Sequence, residues 1–314
     1  MLEYDEFRAM NTTILVAAEG RWHDLEQGFT QVRKLIAESE QRFSRFRETS
    51  ELTALNHSAG RWFEASPEMF SLLEDAKEVY QSTKGLFDPT ILNALMVSGY
   101  DRSMDEIRQF DLVPENPSYS AFSPQFDFAE LDPGKKAIWM PPGMQLDLGG
   151  IAKGWIAEQA VELLSQYTDA GAVSAGGDMV LFGIPEGEPN WEVSLEDPLD
   201  ADQVLAVMNV HPGALATSSV TKRSWVQQDQ IRHHIIDPRS GAPSNSSWLC
   251  VTAYAQKATR AEAFAKALLI AGPDEGWKLI ERQPDIQFLA VQSDGSLIGN
   301  IENMEFIYVT DTIG

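Results

Sequence analysis

The apolar residues of this chain repeat with two different periods, interleaved without strict alternation. Between Asp24 and Phe46, the residues Leu25, Phe29, Val32, Leu35, Ile36 and Phe43 recur at the spacing of one helical face. A second helix is expected from Ser66, an N-cap ahead of Pro67, to Ser82, closing at Thr83-Lys84-Gly85 where the glycine suits a C-terminal cap. Helical patterns also cover Ile151 to Tyr167 and Ala258 to Ala271. Short β-branched or apolar runs read as strands at Thr12 to Ala18, Met144 to Leu148, both arms of Ala170 to Gly183, Val204 to Val210 and Ile231 to Ile236. Leu249 to Ala255, Ile286 to Gln292 and Met304 to Thr310 complete the set. A chain carrying both periods in this order is expected to be α+β. From Asp101 to Gly143, Pro114, Pro117, Pro124, Pro133, Pro141 and Pro142 break any long element. That stretch reads as an irregular excursion within one domain spanning 1–314.

With 314 residues, 43% of them hydrophobic, the chain can bury a full core. Its 47 acidic residues against 24 Lys and Arg give a net charge of −23, which repels nucleic acid and anionic lipid while leaving room for a local phosphate pocket. No apolar run approaches the ~18–20 residues of a membrane helix. The acidic start MLEYDEFRAM lacks the pattern of an export signal, so a cytoplasmic protein without membrane insertion is expected. Cys250 is the only cysteine, set in WLCVTAYA as a small buried hydrophobe, and it supports no disulfide or thiolate cluster.

Chemistry concentrates at three places. The run Asp147-Leu-Gly-Gly-Ile-Ala-Lys153-Gly154 reads as a strand end, a glycine pair and a helix start. Free backbone N–H groups and the positive end of a helix dipole would meet there, with Lys153 one turn in, a combination suited to a phosphate or diphosphate. It is neither the Walker loop nor the dinucleotide fingerprint, so a plain glycine turn beside a surface lysine stands as the alternative. Gly176-Gly177-Asp178 lies inside a strand-turn-strand, where paired glycines usually mark a bulge or close packing. Ala216-Thr217-Ser218-Ser219 through Arg223 places hydroxyls and a basic pair ahead of His234-Ile-Ile-Asp237-Pro238-Arg239-Ser240-Gly241. Histidine is suited to accept a proton near neutral pH, although a structural histidine is the alternative. His233 and His234 adjoin on an expected strand and face opposite sides, so one at most serves a given site. Zinc-type spacings are missing from the sequence. Ser219-Val-Thr-Lys222 matches the S-x-x-K nucleophile motif but lacks its S-D-N and K-T-G partners, which disfavours a serine hydrolase.

Taken in order along nearly the whole chain, these segments resemble the ApbE family, the FAD:protein FMN transferases. Phe7-Arg-Ala-Met10-Asn-Thr12 is similar to F-x-A-M-G-T, with Asn11 in place of the glycine. Phe43-Ser-Arg-Phe46-Arg47 with Ser50-Glu-Leu and Leu55-Asn56 is similar to F-S-x-Y-R…S-E-L…L-N, and Gly85-Leu-Phe-Asp88-Pro-Thr90 to G-x-F-D-P-T. Asp147 to Gly154, Gly176-Gly177-Asp178, Thr217-Ser218 and His234 to Gly241 resemble D-L-x-x-I-A-K-G, G-G-D/N, T-S-G and H-I-I-D-P-x-T-G. The resemblance implies mixed sheets flanked by helices in two closely packed lobes. It implies an enzyme that binds FAD, with Mg²⁺ on the diphosphate, and moves the FMN half to a Thr or Ser hydroxyl of an acceptor protein, releasing AMP. His234 would take the hydroxyl proton. Met10, Phe46, Leu86, Phe87, Asp88, Asp147, Lys153, Gly176, Gly177 and Ile236 would form the FAD site. An FAD-binding or FAD-hydrolysing homologue without transfer is the other reading.

The departures fall at the metal. The resemblance implies ligands from a backbone carbonyl, here Gly150, and from an Asp and a Thr four apart on a helix; this chain has Glu262 and Lys266 at those two positions. A glutamate can still ligate Mg²⁺, whereas an ammonium has no lone pair. Lys266 is therefore expected to replace the cation wholly or in part, with an ordinary i,i+4 Glu–Lys pair as the alternative.

Overall fold

Eight strands lie side by side in chain order, each antiparallel to the next: β1 (Leu2–Ala9), β2 (Thr12–Glu19), β3 (Gly171–Ala175), β4 (Asp178–Phe182), β5 (Gly213–Ser219), β6 (Trp248–Ala255), β7 (Gln287–Gln292) and β8 (Leu297–Asn300). The computed structural model describes residues 1–109, 125–200, 202–227, 230–301 and 304–309. The connection from β2 to β3 carries α1 (Trp22–Phe43), α2 (Glu51–His57), α3 (Pro67–Ser82), α4 (Leu92–Val97), α5 (Met104–Gln109) and α6 (Ala152–Leu164), and that from β6 to β7 carries α7 (Ala258–Ile280). The class is α+β, and every pairing among the described residues is antiparallel.

Strand alternation sorts side chains into two cores. Ala214 and Ala216 of β5 face α6 and α7 together with Val173, Val180, Val251 and Phe288, whereas Leu215 and Leu181 point the other way. On that second face they meet Trp191, Val193, Met208 and Val210, from strands Trp191–Glu196 and Val204–Val210 of a small sheet completed by Met304–Val309. The helical layer is set by the periodicities in the sequence. Phe29, Val32 and Ile36 of α1 and Phe264 and Leu268 of α7 are all buried in the first core. Ser66 caps α3 by accepting from the Met69 N–H, and Pro67 occupies its first turn, as expected. Among the described residues no helix is long and apolar enough to cross a membrane.

Some expectations need correction. Met144 to Leu148 is not a strand: the Asn56 side chain accepts from the Leu146 N–H and donates to its carbonyl, and the Pro89 carbonyl takes the Asp147 N–H, so no ladder is left to form. The run Ile231 to Ile236 breaks at His234 into Gln230–His233 and Ile236–Asp237. The last helix runs past Ala271 to Ile280 through a kink at Gly272, whose φ of 68° precedes Pro273. The charged edge strand β1 and the strand Trp191–Glu196 have no counterpart in the sequence reading. In the proline-rich excursion the structure has α5 and two three-residue strands, Glu130–Asp132 and Ala137–Trp139; Pro114, Pro117 and Pro124 lie outside the described residues, as does Thr310.

Candidate active site

Where α6 starts, between the helical layer and the loops that precede it, the surface opens into a cleft of about 1180 Å³, part of it open to solvent. The anion site expected at this helix start is built differently from the sequence reading. Most of its N–H groups are already taken: Gly149 donates to Asp147, Ile151 and Ala152 to the Leu148 carbonyl, and Gly154 to Glu262 Oε2 at 2.9 Å. The charge of Lys153 is also engaged. Its Nζ touches the Asp178 carboxylate and lies 3.4 Å from Glu262 Oε1. Burial pushes the Lys153 amine down to about 8, against the upward pull of Glu262. Asp178 is held in turn by the Thr217 N–H.

Two further cations line the same cleft, Lys266 and Arg223. Neither forms an ion pair with a described residue. Lys266 follows Glu262 by one turn of α7, and its stem lies over Gly150: a Cβ there would stand 2.6 Å from Lys266 Cε and 3.3 Å from its Nζ. The end of the Lys266 side chain thus lies directly over the Gly150 backbone.

His234 projects into this cleft, while its neighbour His233 turns away and meets the Ser244 carbonyl at 3.2 Å. Burial, with the charges of Arg223 and Lys266, holds the His234 imidazole well below its usual pKa. It is therefore neutral at neutral pH, and its buried Nδ1 has no hydrogen-bond partner among the described residues.

The facing wall is aromatic. Phe46, 40% exposed, lies under the Arg45 guanidinium at 4.1 Å, and Tyr100 is 4.8 Å from the same group. Tyr100 stacks on Trp225 with centroids 5.8 Å apart. Arg45 ties the wall to the floor: Nε is 2.7 Å from Asp147 Oδ2, and Nη2 donates to the Tyr100 carbonyl. Such a desolvated pair is costly to break from one side. Asp88 caps the turn Pro89–Ile91 through Oδ1, leaving Oδ2 buried without a hydrogen bond of good geometry among the described residues; burial pushes its carboxyl up to about 6. Met10 and Asn11, at φ 52° and 54°, make the tight turn between β1 and β2 and also line the cleft. Asparagine is among the few non-glycine residues that adopt this conformation readily, which accounts for Asn11 where the resemblance expects glycine.

Of the residues singled out in the sequence, Met10, Phe46, Phe87, Asp88, Asp147, Gly150, Lys153, His234 and Lys266 line the cleft. Leu86 and Ile236 do not: they pack into the cores behind it. Gly176 and Gly177 do not reach it either. With φ of 69° and 99° they form the two-residue turn between β3 and β4, so their glycine character answers a conformational need. Glu262 sits behind Lys153. The sequence had marked Arg223 as part of the basic pair ahead of His234, and it lines the cleft, whereas Arg45, Tyr100 and the pairing role of Asp178 were missed. Arg45 had one visible signal, its place between Phe43 and Phe46 in the arginine-rich run Arg42-Phe-Ser-Arg45-Phe-Arg47.

The expected metal ligands do not fit a divalent cation. Glu262 spends Oε2 on the Gly154 N–H and turns Oε1 toward an ammonium, and Lys266 occupies the space over Gly150. Among the described residues no three His, Cys, Asp or Glu side chains gather as a metal site. The Ser219-Lys222 motif forms no nucleophilic pair: Lys222 binds Glu196 at 2.5 Å, and Ser219 Oγ bonds Thr221 Oγ1.

An α+β frame holding an aromatic wall, two cations without an ion pair among the described residues and a neutral histidine in one cleft defines a binder of aromatic, anionic ligands with a proton acceptor to hand. The profile described as the ApbE family matches residues 10–290, and the chain belongs to that family. The FAD:protein FMN transferase of Treponema pallidum is 29% identical over 296 residues, covering 86% of this chain and 77% of its own length. That of Vibrio cholerae is 28% identical over 271 residues, covering 84% and 79%. Among solved structures, the ApbE protein of Thermotoga maritima superposes with a TM-score of 0.82 at 24% identity, over 95% of this chain and 96% of that one. The flavin transferase ApbE of Vibrio cholerae gives 0.81 at 22%, over 99% and 98%. At such identities these two structures establish the fold.

Proposed function

We propose that the protein is an FAD:protein FMN transferase that moves FMN from FAD to a Thr or Ser hydroxyl of an acceptor protein. The observation carrying this reading is the convergence of a buried neutral imidazole, His234, with Arg223 and Lys266 beside an aromatic wall, in a family whose similar members bear that name. FAD enters as substrate. Its rings suit Phe46 and Tyr100, its diphosphate suits Arg223 and Lys266, and an N–H or O–H donor of the ligand would satisfy Asp88 Oδ2.

Transfer requires the acceptor oxygen to form a bond to the FMN phosphorus as the bond from that phosphorus to the bridging oxygen breaks, so AMP leaves with the bridging oxygen. The hydroxyl proton passes to His234, which is free to accept it because it is held neutral. Arg223 and Lys266 stabilise charge on the phosphoryl oxygens. No step is routed through Mg²⁺, because Glu262 and Lys266 do not offer it a site.

Incubation with FAD and a protein bearing a Thr/Ser flavinylation motif, read by intact mass, tests the reading. The expected result is one FMN added to the acceptor and an equivalent of AMP released. AMP without a labelled acceptor would replace transfer by hydrolysis, and neither product would overturn the enzymatic reading.

A further inference from the structure

Asp178 and Glu262 are each 3% exposed, and the charge between them is unequal to that of Lys153 alone. Two buried carboxylates against one ammonium leave an excess negative charge, and such an excess in a desolvated place must be neutralised. The further cation on this side is Lys266, one turn from Glu262 on α7, which attracts it through space without an ion pair, with its stem over Gly150 and its Nζ at the cleft floor.

We propose that Lys266 is a tethered cation that stands in for a metal ion, balancing the Asp178–Glu262 pair and contacting the ligand's diphosphate so that FAD binds without a divalent metal. The proposal rests on the reading of the cleft as an FAD site and goes beyond it in naming what neutralises the diphosphate. Three observations converge on it. The Cε and Nζ of Lys266 lie directly over Gly150, 2.6 and 3.3 Å from where its Cβ would stand. Glu262 gives Oε2 to the Gly154 N–H, and its Oε1, buried and without a hydrogen bond among the described residues, faces the Lys153 ammonium at 3.4 Å. Lys266 itself makes no ion pair with a described residue, so its three N–H donors are free for phosphate oxygens. A divalent ion in the same place would meet the repulsion of two ammonium groups.

Calorimetric titration of the unmutated protein with FAD, in excess EDTA and in excess Mg²⁺, tests this without reference to activity. The expected result is the same Kd in both, within about twofold. FAD binding tighter by about tenfold or more with Mg²⁺ would overturn the proposal and leave the transferase reading intact. Failure to bind FAD in either condition would overturn the FAD reading itself, and this inference with it. Lys266→Met keeps the stem and removes the charge. It is expected to weaken FAD in EDTA by about tenfold or more, with a thermal melt reporting that the variant is folded. A folded Lys266→Met protein binding FAD as tightly as the parent would also overturn the proposal.

Discussion

Asp88 and His234 show how far single side chains are moved from their ordinary chemistry. Asp88 has a folded pKa near 6 against a reference of 3.8. A raised carboxyl favours the protonated form in the folded state, so its contribution to stability is lost as pH rises through that window. Asp88→Asn keeps an oxygen for the Thr90 donors and carries no charge. The parent should therefore fall behind the Asn variant by up to about 3 kcal/mol between acid and neutral pH, read from urea midpoints across the range. His234 is displaced in the opposite sense. A base must be deprotonated, and a lowered pKa keeps it so, so the pH–rate profile should hold its activity to lower pH than the ordinary histidine value of about 6.5 allows. His234→Gln should reduce transfer by about 10²-fold or more while leaving FAD affinity nearly unchanged, measured by mass labelling and titration respectively.

At the level of elements, the crossing of α6 over α7 depends on Gly154. A Cβ there would stand 2.9 Å from the Ala258 carbonyl oxygen, a backbone atom that cannot swing aside. Gly154→Ala should push the two helices apart and cost about 1–3 kcal/mol by denaturant unfolding. It should also disturb the Gly154 N–H bond to Glu262. Elements whose signal is local were legible from the sequence: the apolar face of α1, the Ser66–Pro67 start of α3 and the glycine turn between β3 and β4. Met144 to Leu148 was misread because its backbone partner is a side chain 90 positions away, Asn56, which leaves no periodic trace. The edge strand β1 was missed because Glu3, Asp5, Glu6 and Arg8 hide any apolar alternation.

Across the whole molecule, a net charge of −23 makes the folded state work against its own repulsion. Screening should relieve this, so the melting temperature should rise as ionic strength goes from about 0.01 M to 0.15 M, where the Debye length drops from roughly 30 Å to 8 Å. A flat or falling melting curve with salt would mean that internal ion pairs, such as Arg45–Asp147 and Lys153–Asp178, outweigh the net repulsion. Against this acidic background, the cleft brings Arg223 and Lys266 to one place, which suits an anionic ligand.

The sequence by itself determined what depends on neighbours a few positions away: helical faces, caps, turns with positive φ, and the ordered motifs that carry the family. Backbone geometry imposes these within a turn or two. Only the tertiary structure decided how the charges are shared. It gave Lys153 to Asp178 and Glu262, left Arg223 and Lys266 without an ion pair among the described residues, and set Arg45 between Asp147 and the aromatic wall. Coulomb attraction and the cost of desolvation follow distance in space and local dielectric, and neither is written in the spacing of residues along the chain.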